Sequence, residues 1–421
     1  MRILILNSGS SSLKFQLVEF PSVSSENENN TDPTAILHGI VTGIGKEAAL
    51  EISAPQQRAP STYTRQDILN HGQAVAWVWE CLGLIDEDGE YLEGQGIAID
   101  AVGVRVVHGG HRFTQSVLID MAVLAQIEEL SPLAPLHNPP CLEGIYQIRS
   151  LLGPHIPIVA VFDTSFHRTL PDHARTYAIP RKWTTRHGIE RFGFHGIAHA
   201  SMAHSYARYT GRSLEGTRLI TFQLGQGCSV TAIHNGAVVD TSMGFTPLEG
   251  LVMGTRCGDI DPAILGYIAE QEQLSLNEIA HQLNTQSGLL GLSGRASDMR
   301  QLLKAVREQQ DPLATLAIEV FCHRARKYLG AYLATLGGAD AVLFGGGIGE
   351  RAPDIRARIC QHMDWCGISL DCPRNIEVSD VQPGEVIPIH SKESTIELMV
   401  AGTDEESWMV RETFHCLRTA G

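Results

Sequence analysis

The sequence predicts an α/β protein of two duplicated domains flanking a cleft, on three observations. Short apolar strands alternate with stretches of helical periodicity along 421 residues, a length that suits two or three domains. Residues 218–236 (RLITFQLGQGCSVTAIHNG) repeat the plan of residues 2–20: apolar strand, small-residue turn, second strand, with Gly225 where Gly9 falls. Each copy opens one half of the chain, so the natural place for a site is the cleft between halves.

Taken in order, residues 2–6 read as a short buried strand, 7–12 (NSGSSS) as a turn, and 13–20 as the returning strand. Residues 21–35 are polar and turn-rich and read as a long surface hairpin loop. Strand signals recur at 36–43, 97–107 and 156–162. Helical periodicity appears at 117–129, 195–209, 262–282 and 298–309. It is clearest at 312–336, where Leu313, Leu316, Ala317, Val320, Phe321, Tyr328, Leu329, Tyr332 and Leu336 share a face. At 341–350 a buried strand enters a glycine turn, and Pro353 suits the first turn of a following helix.

Composition narrows the function classes. The chain is 43% hydrophobic and 19% charged, with 41 glycines and 19 prolines, as in a globular protein rich in tight turns. Its formal net charge is −15 and no basic run is long enough to follow a phosphate backbone, so nucleic acid is not an expected partner. Nine scattered cysteines form no C-x-x-C pair, which argues against structural zinc and a disulfide framework and for reduced thiols in the cytoplasm. The apolar run Ile3–Leu6 is too short for a signal peptide. No apolar stretch approaches the ~20 residues that span a bilayer, so no membrane association is expected.

The motifs point to phosphate chemistry of an unusual kind. No G-x-x-x-x-G-K-S/T loop is present and no G-x-G-x-x-G follows a strand, which removes the main support for P-loop, Rossmann and protein-kinase readings. Instead, small-residue turns follow apolar strands at 7–12, 225–229 and 345–349. Such turns can aim successive backbone N–H groups at a phosphate, although a single one is often only a sharp hairpin. Asn7 and Lys14 flank the first turn, where an amide can serve Mg²⁺ and an ammonium can neutralise phosphate.

Arg105 lies inside the apolar run VGVRVVHGG. It reads either as half of a buried salt bridge or as a guanidinium awaiting a carboxylate or phosphate. Asp163 ends the strand in VFDTSFH, a common position for functional carboxylates in α/β folds. His137 sits in the rigid APLHNPP and His195 in RFGFHG before a helix, and a structural role is open for each. The run 240–262 (DTSMGFTPLEGLVMGTRCGDIDP) has little periodicity, many small residues and an isolated Arg256, and long irregular segments in compact proteins are often functional.

In this order, NSGSSSLKF, RVVHGG, APLHNPP, VFDTSFH, RFGFHG, DTSMGFTPLEGLVMGTR with GDIDP, and GGIGE closely resemble the acetate kinases, from residue 1 to about 411. The resemblance implies the actin-like, ribonuclease H-like fold shared with sugar kinases and chaperone ATPases. It implies two domains, residues 1–165 with a segment from about 395 to 421 packing back on them, and residues 166–394 carrying most of the nucleotide site. It also implies a cytoplasmic homodimer whose substrates are acetate or acetyl phosphate and ATP or ADP.

By the same resemblance, Asn7 and Glu405 form the Mg²⁺ site, with Mn²⁺ as a substitute, and Lys14 faces nucleotide phosphate. Arg105 and Arg256 hold the acetate carboxylate and the transferring phosphoryl group. Asp163 is the catalytic carboxylate, His195 stabilises the transition state, and His137 lies close by. Val107, Leu136, Phe194 and Pro247 form the methyl pocket. The nucleotide is lined by Gln223, Leu224, Gly225, Gln226 and Gly227, by Asp298, Met299 and Arg300, and by Gly347, Ile348, Gly349, Glu350 and Arg351.

The chain departs from the usual family pattern at four places. H-L-G-N-G reads Gln223-Leu224-Gly225-Gln226-Gly227, G-I-G-E-N ends in Arg351, T-R-S-G has Cys257, and T-N-E-E-L reads Thr403-Asp404-Glu405-Glu406-Ser407. None removes a residue with an implied catalytic role, and two fall in the nucleotide turns. The competing readings are a propionate or butyrate kinase, since one methylene in an apolar pocket is worth only ~1–3 kcal/mol, an enzyme using pyrophosphate, and a non-enzymatic ATP-dependent switch.

Overall fold

The computed structural model describes residues 1–9, 11–20, 33–54, 59–83, 98–135 and 137–420. Two compact units emerge: Met1–Ser165 with Glu405–Gly421, and Phe166–Asp404.

The first unit is built on an eight-stranded sheet. In chain order its strands are β1 Arg2–Ser8, β2 Ser12–Glu19, β3 Thr34–Thr42, β4 Ala48–Ser53, β5 Ser61–Arg65, β6 Ala101–Val106, β7 Val117–Leu118 and β8 Ile158–Phe162. They lie in the order β5-β4-β3-β2-β1-β6-β8-β7. The second unit has six strands, β9 Arg218–Leu224, β10 Cys228–His234, β11 Ala237–Thr241, β12 Ala341–Gly345, β13 Val386–Pro388 and β14 Glu397–Ala401, in the order β11-β10-β9-β12-β14-β13.

The repeat read in the sequence is a repeat of topology. In the first unit β1 pairs antiparallel with β2, β2 antiparallel with β3, and β1, β6 and β8 run parallel. In the second, β9 pairs antiparallel with β10, β10 antiparallel with β11, and β9, β12 and β14 run parallel. Both opening hairpins close on a short turn, with Gly9 N–H bonded to Ser12 and Gly225 N–H to Gly227. The parallel strands are mostly apolar, as expected when both faces of a sheet are covered. β8 (IVAVF) and β12 (AVLFG) are buried at every position.

Several expectations need correction. The periodicity at 117–129 spans an edge strand, β7, before a helix Met121–Glu129 that starts when Asp120 accepts the Val123 N–H. The stretch 262–282 is two helices, Ala263–Glu272 and Leu276–Thr285. Gln273 at φ 56° ends the first, and a capping box between Ser275 and Glu278 starts the second. The glycine turn after β12 is itself the helix Gly346–Arg351. In the helix Pro312–Leu336 the buried stripe runs through Ala314, Ala317, Ile318, Phe321, Ala325, Leu329 and Tyr332, leaving Leu313 and Leu316 exposed.

The return to the first unit comes at Glu405 rather than about 395, because Glu397–Ala401 is a strand of the second sheet. Of the expected 21–35 loop, residues 21–32 lie outside the described residues, and β3 already begins at Thr34. Among the described residues no helix is long and apolar enough to cross a membrane.

Candidate active site

In the first unit, functional side chains gather at the carboxyl ends of the parallel strands, where open α/β sheets bind ligands. Asn7 is near the end of β1 and opposite Lys14 of β2, Arg105 is near the end of β6, and Asp163 follows β8. Glu405 and Glu406 open the helix Glu405–Ala420. Asn7, only 3% exposed, donates from Nδ2 to Glu405 Oε2 at 2.7 Å and Glu406 Oε1 at 3.0 Å. Its Oδ1 accepts from Arg105 Nη1 at 2.9 Å. Arg105 also donates from Nε and Nη2 to Asp163 Oδ2, at 3.1 and 2.5 Å. These are three of a guanidinium's five N–H groups, so two are left for a ligand.

The charges in this cluster are balanced by proximity. Burial works against the Arg105 cation, but the carboxylates of Asp163 and Glu405 outweigh it and raise its pKa further. Glu406, with Nζ 3.6 Å from its carboxylate, raises the pKa of Lys14 above the ordinary lysine value against an opposing effect of burial. The donor set Asn7, Glu405 and Glu406 is made of hard oxygen ligands and an amide. It suits Mg²⁺, which takes one or two carboxylates and completes its shell with water and substrate phosphates. Among the described residues no group of three or more His, Cys, Asp or Glu forms a closed metal cage.

In the second unit, the turn between β9 and β10 is the focus. A Cβ on Gly227 would lie 2.7 Å from Arg256 Nη2 and 3.2 Å from both Cε1 and Nε2 of His195. The turn therefore lies against both the guanidinium and the imidazole, and a side chain at this position would have to displace one of them. Arg256 donates to the Pro247 carbonyl at 2.6 Å and has no carboxylate partner among the described residues. Burial lowers its pKa, and nearby Cys228 opposes that only in part. His195 occupies a left-handed conformation, φ 59°, just before the helix Gly196–Thr210.

The irregular run 240–262 is held by specific anchors. Arg191 Nη1 donates to the carbonyls of Thr241, Ser242 and Met243 at 3.2, 3.2 and 3.1 Å, and its Nη2 to Glu249 at 2.6 Å. Asp259 Oδ1 accepts the Gly250 N–H at 2.9 Å, and Arg324 and Tyr328 from the helix Pro312–Leu336 hold Asp259. Gly258, at φ 72°, packs where a Cβ would meet the Gly250 and Leu251 carbonyls at 2.5 Å. Arg256 is thus presented by a closed loop rather than a loose one.

A cavity of about 580 Å³ opens beside the same turn. Of the residues expected at the nucleotide, Gly225, Gln226, Asp298, Met299, Arg300, Gly347, Ile348 and Arg351 line it. Gln223, Leu224, Gly227, Gly349 and Glu350 do not. Leu224 is buried, Gln223 accepts from Thr403 Oγ1 at 3.3 Å, and Glu350 Oε1 accepts the N–H groups of Gly346 and Thr403 at 3.0 Å. Glu350 thus ties the glycine segment to the end of β14.

A profile of the Acetokinase family matches residues 2–411. The chain belongs to the acetokinase family. It is 45% identical to the acetate kinase of Chloroherpeton thalassium, over 99% of each chain. Its fold matches the crystal structure of Porphyromonas gingivalis acetate kinase with a TM-score of 0.85 at 37% identity, covering 99% of both chains. It matches a propionate kinase from Francisella tularensis with a TM-score of 0.84, also at 37% identity, covering 98% of this chain and 99% of the other. The architecture is the actin-like one these kinases share.

Within the acetokinase frame, the structure places Asn7, Lys14, Arg105, Asp163 and Glu405 together in the first unit, and His195, Arg256, Gly227 and Pro247 together in the second. Val107 is buried after β6, His137 precedes the helix Asn138–Leu152, and Phe194 is buried with its carbonyl accepting from His167. Leu136 lies outside the described residues. Sequence reasoning missed Glu406, His199, Ser229 and Arg356. Glu406 and His199 carried a signal, one beside Glu405 and the other one helical turn past His195. Arg356 carried none; fully buried, it donates to the carbonyls of Gly349 and Glu350 and so fixes the glycine segment.

Proposed function

We propose that the protein is an acetate kinase, transferring the γ-phosphoryl group of ATP reversibly and in line to acetate, to give acetyl phosphate and ADP, with Mg²⁺ or Mn²⁺. The observation that carries this is Arg256: a half-buried cation with no acidic partner among the described residues, sharing one glycine turn with His195. A guanidinium left uncompensated in this way suits an anion that arrives as substrate.

Acetate is ionised at neutral pH and is already a nucleophile, so the task is positioning and charge neutralisation. Arg105 offers its remaining N–H groups to the acetate carboxylate. Asp163, committed to Arg105, orients that guanidinium rather than removing a proton. Arg256 and His195 receive the phosphoryl oxygens, and Lys14 the nucleotide phosphates. Glu405, held by Asn7 and beside Glu406, would bind the Mg²⁺ ion, which when bound neutralises phosphate oxygens as charge moves between them. Family resemblance assigns the acetate methyl to Val107, Leu136, Phe194 and Pro247, with His137 nearby, and the 580 Å³ cavity of the second unit suits the nucleotide. Family resemblance supports a cytoplasmic homodimer.

The near-equal likeness to a propionate kinase favours propionate as a second substrate. Purified protein with ATP, Mg²⁺ and each short acid, assayed by hydroxylamine trapping, should form acetyl phosphate, and EDTA should abolish it. No acyl phosphate from any acid between acetate and butyrate, with any nucleotide or pyrophosphate, would remove the kinase reading.

A further inference from the structure

Behind His195 runs a line of buried polar groups. His195 Nδ1 lies 2.8 Å from Ser229 Oγ. The same oxygen lies 2.7 Å from His199 Nε2, and His199 Nδ1 lies 2.7 Å from Thr221 Oγ1. Ser229, His199 and Thr221 are all fully buried. Burial also holds His199 well below the ordinary histidine range, so its ring is neutral and carries one proton.

The protons can be placed by counting. Each hydroxyl has one hydrogen to donate, and a neutral imidazole has one donor and one acceptor nitrogen. Among the described residues the Thr221 hydroxyl has no acceptor other than His199 Nδ1. If Thr221 donates there, His199 carries its proton on Nε2 and donates it to Ser229 Oγ. Ser229 must then donate to His195 Nδ1, and every buried hydrogen has an acceptor. The reverse direction leaves the Thr221 hydrogen buried without one, a costly arrangement.

We infer that Thr221, His199 and Ser229 form a one-way hydrogen-bond chain that fixes His195 as the tautomer with its proton on Nε2. That nitrogen lies against Gly227, the glycine that Arg256 also approaches. The backbone under the ring is fixed too: His195 is in a left-handed conformation, and the carbonyl of Phe194 accepts from His167 Nε2 at 2.9 Å. His195 is then presented as a neutral donor in one orientation, preorganised for a phosphoryl oxygen. Thr221, His199 and Ser229 are positioning residues. The inference rests on His195 meeting the phosphoryl group, as proposed above.

The test is ¹⁵N NMR of histidine-labelled full-length protein, with ring signals assigned by comparison with His195→Gln and His199→Gln. Both rings should show a proton on Nε2 and none on Nδ1. Ser229→Ala should lower kcat about tenfold, the equivalent of one lost hydrogen bond of orientation, with both KM values within about twofold. Thr221→Val should act in the same direction, and Thr221→Ser, which keeps the hydroxyl, should restore kcat. A proton on Nδ1 of either ring in the parent protein overturns the chain, as does equal loss of kcat in Thr221→Val and Thr221→Ser. The spectra need no turnover, so a failure of the kinase reading and a failure of the hydrogen-bond chain are read separately.

Discussion

Arg105 and Asp163 are joined twice, with Nε at 3.1 Å and Nη2 at 2.5 Å donating to the same carboxylate oxygen. The side chains are only 14% and 2% exposed. Removing one partner of a buried pair strands the other charge, at a cost of about 3–5 kcal/mol. Arg105→Ala should therefore lose stability of that order in urea unfolding and raise the KM for acetate. Adding Asp163→Asn should recover part of the stability and none of the activity. A single variant within about 1 kcal/mol of the parent would show that the pair is not the fold's concern.

Arg256 should behave in the opposite way. No carboxylate depends on it, and its removal costs only the donor to the Pro247 carbonyl. Arg256→Ala should keep stability within about 1 kcal/mol of the parent while lowering kcat at least ~10²-fold. Arg256→Lys should rescue little, since the planar fork is lost. A near-normal rate in the alanine variant would remove Arg256 from the mechanism.

Gly227→Ala tests the convergence itself. The added methyl would come within 2.7 Å of Arg256 Nη2, the far end of a flexible side chain, so the chain can still fold by moving the guanidinium. The variant should unfold like the parent yet lose most of its kcat. Full activity would mean that the guanidinium position is immaterial to transfer.

What the sequence made legible follows from periodicity and strand position. The apolar strands β1 and β9 and their small-residue turns announced both hairpins, and Asn7 and Asp163 could be placed at strand ends, and Arg105 inside an apolar strand, before any coordinates. β4 and β5 were missed because AALEIS and STYTR mix in charged and hydroxyl side chains, and β5 lies at the sheet's edge. The helix Asn138–Leu152 hid behind two prolines in its first turn. Ser229 and Thr221 could not be tied to His195 or His199, because those pairs lie 22 to 34 residues apart and meet only through the second sheet. Leu303, Arg307, Asp354 and Ile376 line the cavity for the same kind of reason, coming from different helices without a shared motif.

The buried histidines set an acid limit on stability. Burial pushes His167 down to about 4, against a partly opposing hydrogen bond to Phe194, and pushes His199 well below its usual value. Their folded values lie below the unfolded value of about 6.5, so between the two the unfolded chain binds more protons. This stability is fully present above about pH 6.5 and is lost as pH falls toward 4. His167 alone should account for about 2 kcal/mol between pH 7 and pH 5. Urea midpoints should fall over that range, and His167→Gln should flatten the dependence. Equal midpoints at the two pH values would contradict the burial argument.

The last prediction concerns the phosphoryl donor, where Gln226 and Arg351 replace the family's usual asparagines. Gln226 is held near the turn: its Oε1 lies 2.1 Å from where a Cβ on Gly254 would sit, so that glycine makes room for the longer side chain. Arg351 faces the cavity together with Arg300, Arg307, Leu303 and Ile376. Arg300 is already paired with Asp298 at 2.6 Å, whereas neither Arg307 nor Arg351 has a carboxylate partner among the described residues. The apolar side chains give a purine a surface to lie on, which pyrophosphate would not use. An unpaired guanidinium beside them can stack on a base or meet a phosphate. ATP should therefore support turnover better than pyrophosphate. Arg351→Asn should change the KM for ATP about two- to fivefold, in line with ~0.5–1 kcal/mol for such an exposed contact, and leave the KM for acetate unchanged. Pyrophosphate outperforming every nucleoside triphosphate would overturn this assignment of the cavity, and so would an Arg351→Asn effect confined to acetate.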